Sequence, residues 1–222
     1  MQQPWWKVWS SYLFEWHIES ASSHYNPHLY VSLNRGRYQL CTANAIYSFG
    51  DLYDNFTRTF KQIDLDELPG DEVLILGFGL GSIPLMLEKK FNRQYQFTAV
   101  EIDETILKLT AKYTLPDISS PIEMVCADAR AFVAQSSQQY AMICMDIFLD
   151  DTVPSAFESE TFLEDLRDLL LPNGRLLFNR LAASEKDIKK TKDYFENTFR
   201  KVFPDAVSLD VHGNWMLLNR KA

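Results

Sequence analysis

Residues 74–81 read Leu74-Ile75-Leu76-Gly77-Phe78-Gly79-Leu80-Gly81, an apolar run that breaks into three alternating glycines. The apolar part predicts a buried strand. Glycines allow a sharp turn after such a strand, and they let backbone N–H groups approach a ligand closely. Glu101 ends the next apolar run, twenty residues after Gly81. This spacing is typical of a nucleotide site in which the acid binds ribose hydroxyls.

From Asp71 onward, predicted strands alternate with predicted helices. The strands are expected at 72–78, 96–102, 122–127, 140–147 and 174–181. Helical spacing of apolar residues between them is seen at Ile106, Leu109, Thr110 and Tyr113 and again from Phe162 to Leu170. Pro172-Asn173-Gly174 is expected to end the latter helix. This alternation is typical of a mostly parallel sheet with helices on both faces.

Two further predicted strands lie near the C-terminus and are separated by a very short connection. They span Ala206–Val211 and Trp215–Asn219, with His212-Gly213-Asn214 between them. Three residues can form a hairpin but cannot form a crossover helix, so the last strand should run antiparallel. The expected fold class is therefore α/β, with a Rossmann-like seven-stranded, mostly parallel sheet and an antiparallel last strand.

The first 60 residues differ in character from the rest of the chain. An aromatic stretch with partial alternation is formed by Trp5, Trp6, Trp9, Tyr12, Phe14 and Trp16. Together with a hairpin corner at Arg35-Gly36-Arg37, it predicts a small N-terminal β-hairpin sheet whose tryptophans pack in the core and at interfaces. We divide the chain into an antiparallel β segment, residues 1–60, and a Rossmann-like domain, residues 61–222.

The overall composition restricts the partners of the protein. The formal net charge is −8, from 22 basic and 30 acidic residues, which disfavours binding to duplex nucleic acid. The three cysteines and four histidines lack the spacing of metal ligands, so no metal is expected. No apolar run approaches the length of a membrane span, and the N-terminus lacks signal-peptide features. We expect a cytoplasmic protein without a membrane partner.

Acids follow three of the predicted parallel strands, at Glu101, Asp128 and Asp146. The carboxyl ends of such strands meet at one crevice, so these side chains should converge. We expect Glu101 to accept hydrogen bonds from ribose and Asp128 to accept one from the adenine amino group. A simpler alternative stays open for each acid: Glu101 as a surface residue at a strand end, Asp128 as a helix cap and Asp146 as an ordinary loop acid.

Several of these motifs together resemble the motif series of class I S-adenosylmethionine-dependent methyltransferases. They are the glycine loop, Ala99-Val100-Glu101-Ile102-Asp103, Cys126-Ala127-Asp128-Ala129, the strand ending in Asp146, and Leu171-Pro172-Asn173-Gly174-Arg175. The N-terminal sheet, Gly50-Asp51-Leu52-Tyr53-Asp54 and Glu101-Ile102-Asp103 narrow the resemblance to the spermidine synthase branch of that superfamily. Residues 61–222 are accordingly expected to form a domain that binds S-adenosylmethionine.

The resemblance also implies specific roles for residues. S-adenosylmethionine, or its decarboxylated form, would be bound without a metal, and Asp146 would be the catalytic base. The implied cofactor-binding residues are Gly77, Phe78, Gly79, Gly81, Glu101, Ile102, Asp128, Ala129 and Asp146. Asp150 and Tyr53 join Asp146 as candidate catalytic residues. The alternatives are a solvated acidic turn for Asp150 and packing against the sheet for Tyr53.

The chain also departs from spermidine synthases at several positions. Those enzymes usually carry Gly-Gly-Gly-Asp-Gly-Gly at the loop, where this chain has Leu80 in place of the acid. Their Tyr-His-Glu segment is here Tyr53-Asp54-Asn55, and their Asp-Ser-Ser-Asp is replaced by Asp146-Ile147-Phe148-Leu149-Asp150. Since a leucine cannot pair with the ammonium of an aminopropyl donor, we expect methyl transfer to be favoured over aminopropyl transfer.

Four functional hypotheses remain. The leading one is an S-adenosylmethionine-dependent methyltransferase that acts by in-line transfer on a small-molecule acceptor, with cationic acceptors included. The second is an aminopropyltransferase that uses decarboxylated S-adenosylmethionine. A non-catalytic nucleoside-binding or interaction module and an NAD-dependent oxidoreductase complete the set. A homodimer and a monomer both fit the aromatic N-terminal segment.

Overall fold

A computed structural model describes residues 3–42, 45–149 and 152–221. The N-terminal part contains two short helices and a four-stranded antiparallel sheet whose strands lie in chain order. In sequence these elements are α1 (Trp5–Ser10), β1 (Trp16–Ala21), β2 (Leu29–Asn34), β3 (Arg37–Cys41), β4 (Ile46–Ser48) and α2 (Asp54–Phe60). The predicted hairpin corner is present, because Arg35 and Gly36 both have positive φ and connect β2 to β3.

A seven-stranded sheet forms the rest of the framework. Its strands are β5 (Glu72–Leu76), β6 (Gln96–Glu101), β7 (Ile122–Cys126), β8 (Tyr140–Met145), β9 (Leu170–Leu181), β10 (Val207–Asp210) and β11 (Asn214–Leu218). They lie in the order β10-β11-β9-β8-β5-β6-β7. Strands β5 to β9 are parallel, whereas β11 runs antiparallel to β9. The expected α/β fold with an antiparallel last strand is confirmed.

Helices connect these strands. They are α3 (Ser82–Phe91), α4 (Glu104–Tyr113), α5 (Ala129–Gln135), α6 (Glu160–Asp168), α7 (Glu185–Tyr194) and α8 (Arg200–Val202). A π-helical turn, Phe195–Phe199, joins α7 to α8, and single 3₁₀ turns lie at Gly50–Leu52, Leu115–Asp117 and Ser155–Phe157. Within the described ranges, none of the helices has the length and apolarity needed to cross a membrane.

The prediction of strand structure for the first aromatic residues is wrong. Trp5–Ser10 is helical, because the carbonyl of Pro4 accepts hydrogen bonds from the N–H groups of Lys7 and Val8 and starts a helical turn. The tryptophans of this helix do not pack in the core of the chain. The side chains of Trp5 and Trp9 are 81% and 66% exposed.

The expected role of Pro172-Asn173-Gly174 as a helix end is also wrong. Helix α6 ends earlier, at Asp168, and β9 begins at Leu170 and runs through these residues. Its pairing with β8 shifts register at this point, and Asn173 has a φ of +66°. Pro172-Asn173-Gly174 therefore forms a bulge that bends the strand but does not end it.

Three apolar clusters hold these layers together. Successive residues of β5 point to opposite faces, so Leu74 and Leu76 pack under α5 and α6, while Val73 and Ile75 pack under α2 and α3. The third cluster joins the N-terminal sheet to α4 and to the loop after β5. It consists of Leu29, Val31, Leu40, Leu80, Ile106, Leu109 and Tyr113. Leu80 is thus a core residue that connects the two sheets.

We predict that Leu80→Asp lowers the free energy of unfolding by about 3–5 kcal/mol, because it buries a carboxylate without a partner. Urea unfolding followed by circular dichroism measures this change. The control, Leu80→Met, conserves volume and should cost less than about 1.5 kcal/mol. If Leu80→Asp were as stable as the unsubstituted protein, Leu80 would not occupy the core between the sheets.

Candidate active site

The carboxyl ends of the parallel strands open into a cavity of about 1040 Å³. Gly77 and Gly79 line it after β5, and three acids line it after the neighbouring strands: Glu101, Asp128 and Asp146. The N-terminal segment covers part of the cavity with Tyr25, Asn26, Ala45–Tyr47, Phe49 and Leu52–Asn55. The predicted convergence of the acids at one edge of the sheet is therefore present.

The glycine loop after β5 has almost no free space around Gly77. This residue has a φ of +86°, and a Cβ there would lie 2.4 Å from the carbonyl oxygen of Asp146. Only glycine permits this approach of the loop to the end of β8. Phe78 and Gly81 do not appear among the described lining residues. The Phe78 side chain is buried in the core, and Gly81, with a φ of +74°, precedes α3.

Glu101 holds the glycine loop in place. One carboxylate oxygen accepts hydrogen bonds from the N–H groups of Phe78 (3.1 Å) and Gly79 (3.3 Å), and the other accepts one from the N–H of Asp103 (3.2 Å). A carboxylate offers about four acceptor positions, so room remains for one further donor. Burial raises the pKa of Glu101, although the three backbone donors act in the opposite direction.

Asp103, two residues further on, fastens the N-terminal segment to the larger sheet. One carboxylate oxygen caps α4 by accepting from the N–H of Thr105 at 3.0 Å. The other accepts from the Ser23 hydroxyl and from Asn26 Nδ2. Because Asn26 itself lines the cavity, this buried acid positions part of the cavity wall.

Asp128 has the capping geometry that was one alternative from the sequence. Its Oδ1 accepts from the N–H of Ala131 at 3.0 Å and caps α5. Asp128 also lines the cavity, together with Ala129, Arg130 and, from the end of β6, Ile102. Capping and ligand contact are compatible, since the cap occupies only one of the two carboxylate oxygens.

Asp146 lies in a polar network at the opposite side of the cavity. Its Oδ1 accepts hydrogen bonds from Asn179 Nδ2 (2.8 Å) and from the Tyr53 hydroxyl (3.4 Å). Asn214 in turn donates to Asn179 Oδ1 at 3.0 Å. Both side chains donate to Oδ1. Within the described part of the chain, Oδ2 is therefore available to a ligand.

The electrostatics of Asp146 suit a group that exchanges a proton near neutral pH. Burial raises its pKa to about 6; the hydrogen bonds from Asn179 and Tyr53 lower the pKa, and the nearby charge of Glu101 raises it. Burial and the Asp146 charge raise the pKa of Tyr53 well above its ordinary value, so the phenol stays protonated. In this pair, Asp146 is therefore the group that titrates.

Two residues of this network, Asn179 and Asn214, were missed by the sequence analysis. A signal for Asn179 existed, because polar residues interrupt the buried apolar run of β9 at its carboxyl end. Asn214 begins an antiparallel strand, where no strand-end rule would place a functional residue. Asp150, the remaining catalytic candidate, lies outside the described residues.

Leu80 does not line the cavity among the described residues, because its side chain is buried between the two sheets. Its apolar character therefore carries no information about the charge of the ligand. The described residues also contain no group of three or more His, Cys, Asp or Glu side chains able to hold a metal ion.

Comparison with known proteins relates this geometry to a family. A probable polyamine aminopropyl transferase of Bifidobacterium longum is 33% identical over 115 residues, which are 52% of this chain and 25% of that protein. A polyamine aminopropyltransferase of Vibrio vulnificus is 26% identical over 155 residues, 67% of this chain and 50% of that protein. The chain thus spans a quarter to a half of the length of these curated relatives.

A solved structure and a family model extend the comparison to most of the chain. The spermidine synthase of Thermotoga maritima superimposes with a TM-score of 0.67 at 18% identity, covering 91% of this chain and 71% of that one. At this identity the likeness establishes the fold. The model of the spermine/spermidine synthase domain matches residues 62–218, well over half of the sequence. The chain therefore belongs to the spermine/spermidine synthase domain family.

Proposed function

We propose that the protein is an aminopropyltransferase that moves the aminopropyl group of decarboxylated S-adenosylmethionine to an amine. Residues 61–222 would bind the donor, and residues 1–60 would help to enclose it. Family membership supports this proposal, and so do the names of two of the curated relatives, a probable polyamine aminopropyl transferase and a polyamine aminopropyltransferase. The main observation in its favour is the excess of acidic over basic side chains in the lining of the cavity.

The expectation of methyl transfer is wrong. The family model and the aminopropyltransferase relatives both favour the second hypothesis. The physical reason lies in Leu80, on which the ranking of the two reactions depended. Because Leu80 is buried in the core, the missing acid at this position does not place an apolar side chain against the donor.

Acids outnumber bases among the charged residues that line the cavity. Among the described lining residues there are five acids, Asp54, Glu101, Asp128, Asp146 and Asp165, and one basic residue, Arg130. The decarboxylated donor carries a sulfonium and an ammonium but no carboxylate, so it complements such a surface. The methyl donor also carries a carboxylate. Arg130 follows β7, three strands from Asp146, and is badly placed to pair with a carboxylate beside Asp146.

The donor supplies a sulfonium that makes the adjacent methylene carbon electrophilic. The protein has to align an amine nitrogen with that carbon and exclude water. A bond forms between the nitrogen and the methylene carbon, the carbon–sulfur bond breaks, and its electron pair stays on the sulfur of the thioether product. The amine releases one proton, which Asp146 would accept.

We expect tighter binding of decarboxylated S-adenosylmethionine than of S-adenosylmethionine, by about tenfold or more, since the latter brings a carboxylate into an acidic cavity. Isothermal titration calorimetry with both compounds measures the ratio, and release of methylthioadenosine in the presence of an amine measures the reaction. A clear preference for S-adenosylmethionine, with methyl transfer to an amine, would overturn the proposal.

Glu101→Ala should weaken donor binding by about tenfold or more, because it removes an acceptor for ribose and the anchor of the glycine loop. Calorimetry measures the change. Glu101→Gln keeps one acceptor oxygen and should show a smaller loss. An unchanged dissociation constant in a Glu101→Ala variant with normal circular dichroism would exclude Glu101 from the site.

Asp146→Asn should reduce kcat by about 10²–10⁴ while affecting donor binding much less, because the amide cannot accept the proton. An equal loss in kcat and in donor affinity would instead assign Asp146 to donor binding or to structure.

The pH dependence of kcat/KM provides a further check. A carboxylate must be deprotonated to act as a base, so kcat/KM should fall below about pH 6 and reach a plateau above it. Tyr53→Phe removes a hydrogen bond that lowers the pKa of Asp146, so the falling limb should move to higher pH. Tyr12→Phe, at an exposed tyrosine outside the cavity, is the control. A profile that is flat between pH 5 and 8 would contradict the assignment of Asp146 as the base.

A further inference from the structure

An apolar surface lies at the N-terminal end of the chain, away from the cavity. Among the described residues eleven large apolar side chains are exposed, and six of them fall within residues 5–14. None of these six lines the cavity. Single exposed apolar side chains are normal on a protein, but six in ten consecutive residues indicate an interaction surface. The set, here called the aromatic patch, consists of Trp5, Trp6, Trp9, Tyr12, Leu13 and Phe14.

Helix α1, which carries the three tryptophans of the patch, has little support from its own chain. It is six residues long, none of them is fully buried, and no side chain caps its N-terminus. Isolated helices shorter than about 12–15 residues are marginal in water, and helices in proteins depend on packing of an apolar face. An additional surface packed on α1 would supply the burial that its own chain does not provide.

The patch is nevertheless fixed in place on the small sheet. The two N–H groups of the hairpin corner between β2 and β3 donate to the carbonyl and hydroxyl oxygens of Ser11, at 2.9 and 2.8 Å. The ring centroids of Trp6 and Phe14 lie 5.8 and 5.0 Å from that of Trp16. The patch is therefore a preorganised surface, and little conformational entropy is lost when a partner binds to it.

The charges around the patch favour a second copy of the chain over a lipid surface as the partner. Lys7 is the one charged residue within residues 5–14, and its Nζ already lies 5.5 Å from the centre of the Trp16 ring. Arg35 adds one further cation at the adjoining hairpin corner. Binding to anionic lipids uses clusters of about four to eight Lys and Arg, and this protein has a net charge of −8.

The size of the patch fits a dimer. Aromatic side chains bury about 150–250 Å² each, so the exposed fractions of the six side chains correspond to roughly 700–900 Å². An interface of standard size takes about 800 Å² from each partner. In a two-fold symmetric pair the same surface is used on both sides, and a patch with a single charge can face its own copy without strong repulsion.

We propose that two copies of the chain pair through the aromatic patch about a two-fold axis, with α1 of one copy packed against α1 of the other. Trp5 and Trp9 are the central contacts of this interface. They lie one helical turn apart on the same face of α1 and are 81% and 66% exposed in the single chain. The pairing goes beyond the reaction in the cavity and does not depend on it.

Sedimentation velocity over a range of protein concentrations tests the pairing. We expect a species with twice the mass of one chain at about 10 µM protein, which corresponds to a dissociation constant in the micromolar range or below. A single-chain species at all concentrations up to about 100 µM would overturn the proposal.

Replacing both Trp5→Glu and Trp9→Glu should raise the dissociation constant of the dimer by about a hundredfold or more, because buried tryptophans dominate such interfaces. The paired replacements Trp5→Phe and Trp9→Phe keep aromatic surface and should have a smaller effect. Ile188→Glu, at an exposed site far along the chain, is the control and should leave the dimer intact. Circular dichroism checks that each variant is folded. A dimer that persists in the folded Glu variant would overturn the placement of the interface.

Tryptophan fluorescence provides an independent measure, because four of the five tryptophans lie within residues 5–16. Dilution through the dissociation constant should shift the emission to longer wavelength as the patch becomes exposed to water. The variant with glutamate at both positions should show no such shift. Vesicles of phosphatidylcholine and phosphatidylserine test the other partner: a single-chain protein that sediments with these vesicles and forms no dimer would assign the patch to a lipid surface and overturn the proposal.

Discussion

The site depends on one close approach, between the glycine loop after β5 and the backbone of Asp146. A Cβ at residue 77 would lie 2.4 Å from the carbonyl oxygen of Asp146, so glycine is required there. Strands β5 and β8 are neighbours at the point where the chain order of the parallel sheet reverses, which is where α/β proteins bind ligands. Because Gly77 has no side chain, the glycine loop and Asp146, the proposed base, lie at the same crevice.

The electrostatics of this crevice support the proposed preference for a cationic ligand. Burial raises the pKa of both Glu101 and Asp146, which means that neither carboxylate is well stabilised as an anion in the free protein. A cationic ligand would supply the missing countercharge. The two buried carboxylates would therefore be stabilised as anions when such a ligand binds. Backbone N–H groups and the side chains of Tyr53 and Asn179 supply enough hydrogen bonds to hold the acids in position.

The N-terminal segment contributes to the site through its attachment to the larger sheet. Asp103 binds Ser23 and Asn26, while Leu80 packs among side chains of the small sheet, so both contacts flank the glycine loop. A further hydrogen bond of 2.5 Å joins the hydroxyls of Ser48 and Ser82. These contacts hold the N-terminal segment against the larger sheet. Tyr53 follows in the same segment, and its hydroxyl donates a hydrogen bond to Asp146. The small sheet is thus part of the cavity wall.

The sequence alone determined the α/β fold, the antiparallel last strand and the convergence of Glu101, Asp128 and Asp146, because strand periodicity, loop length and strand-end positions are local properties of the chain. Predictions from local sequence patterns were wrong where tertiary contacts decide the secondary structure. Alternating aromatics formed the helix α1, and Pro172-Asn173-Gly174 became a bulge inside a strand. The positions of Leu80, Asn179 and Asn214 were decided by the tertiary structure, since only packing determines which side of a loop faces the core and which distant strands meet at Asp146.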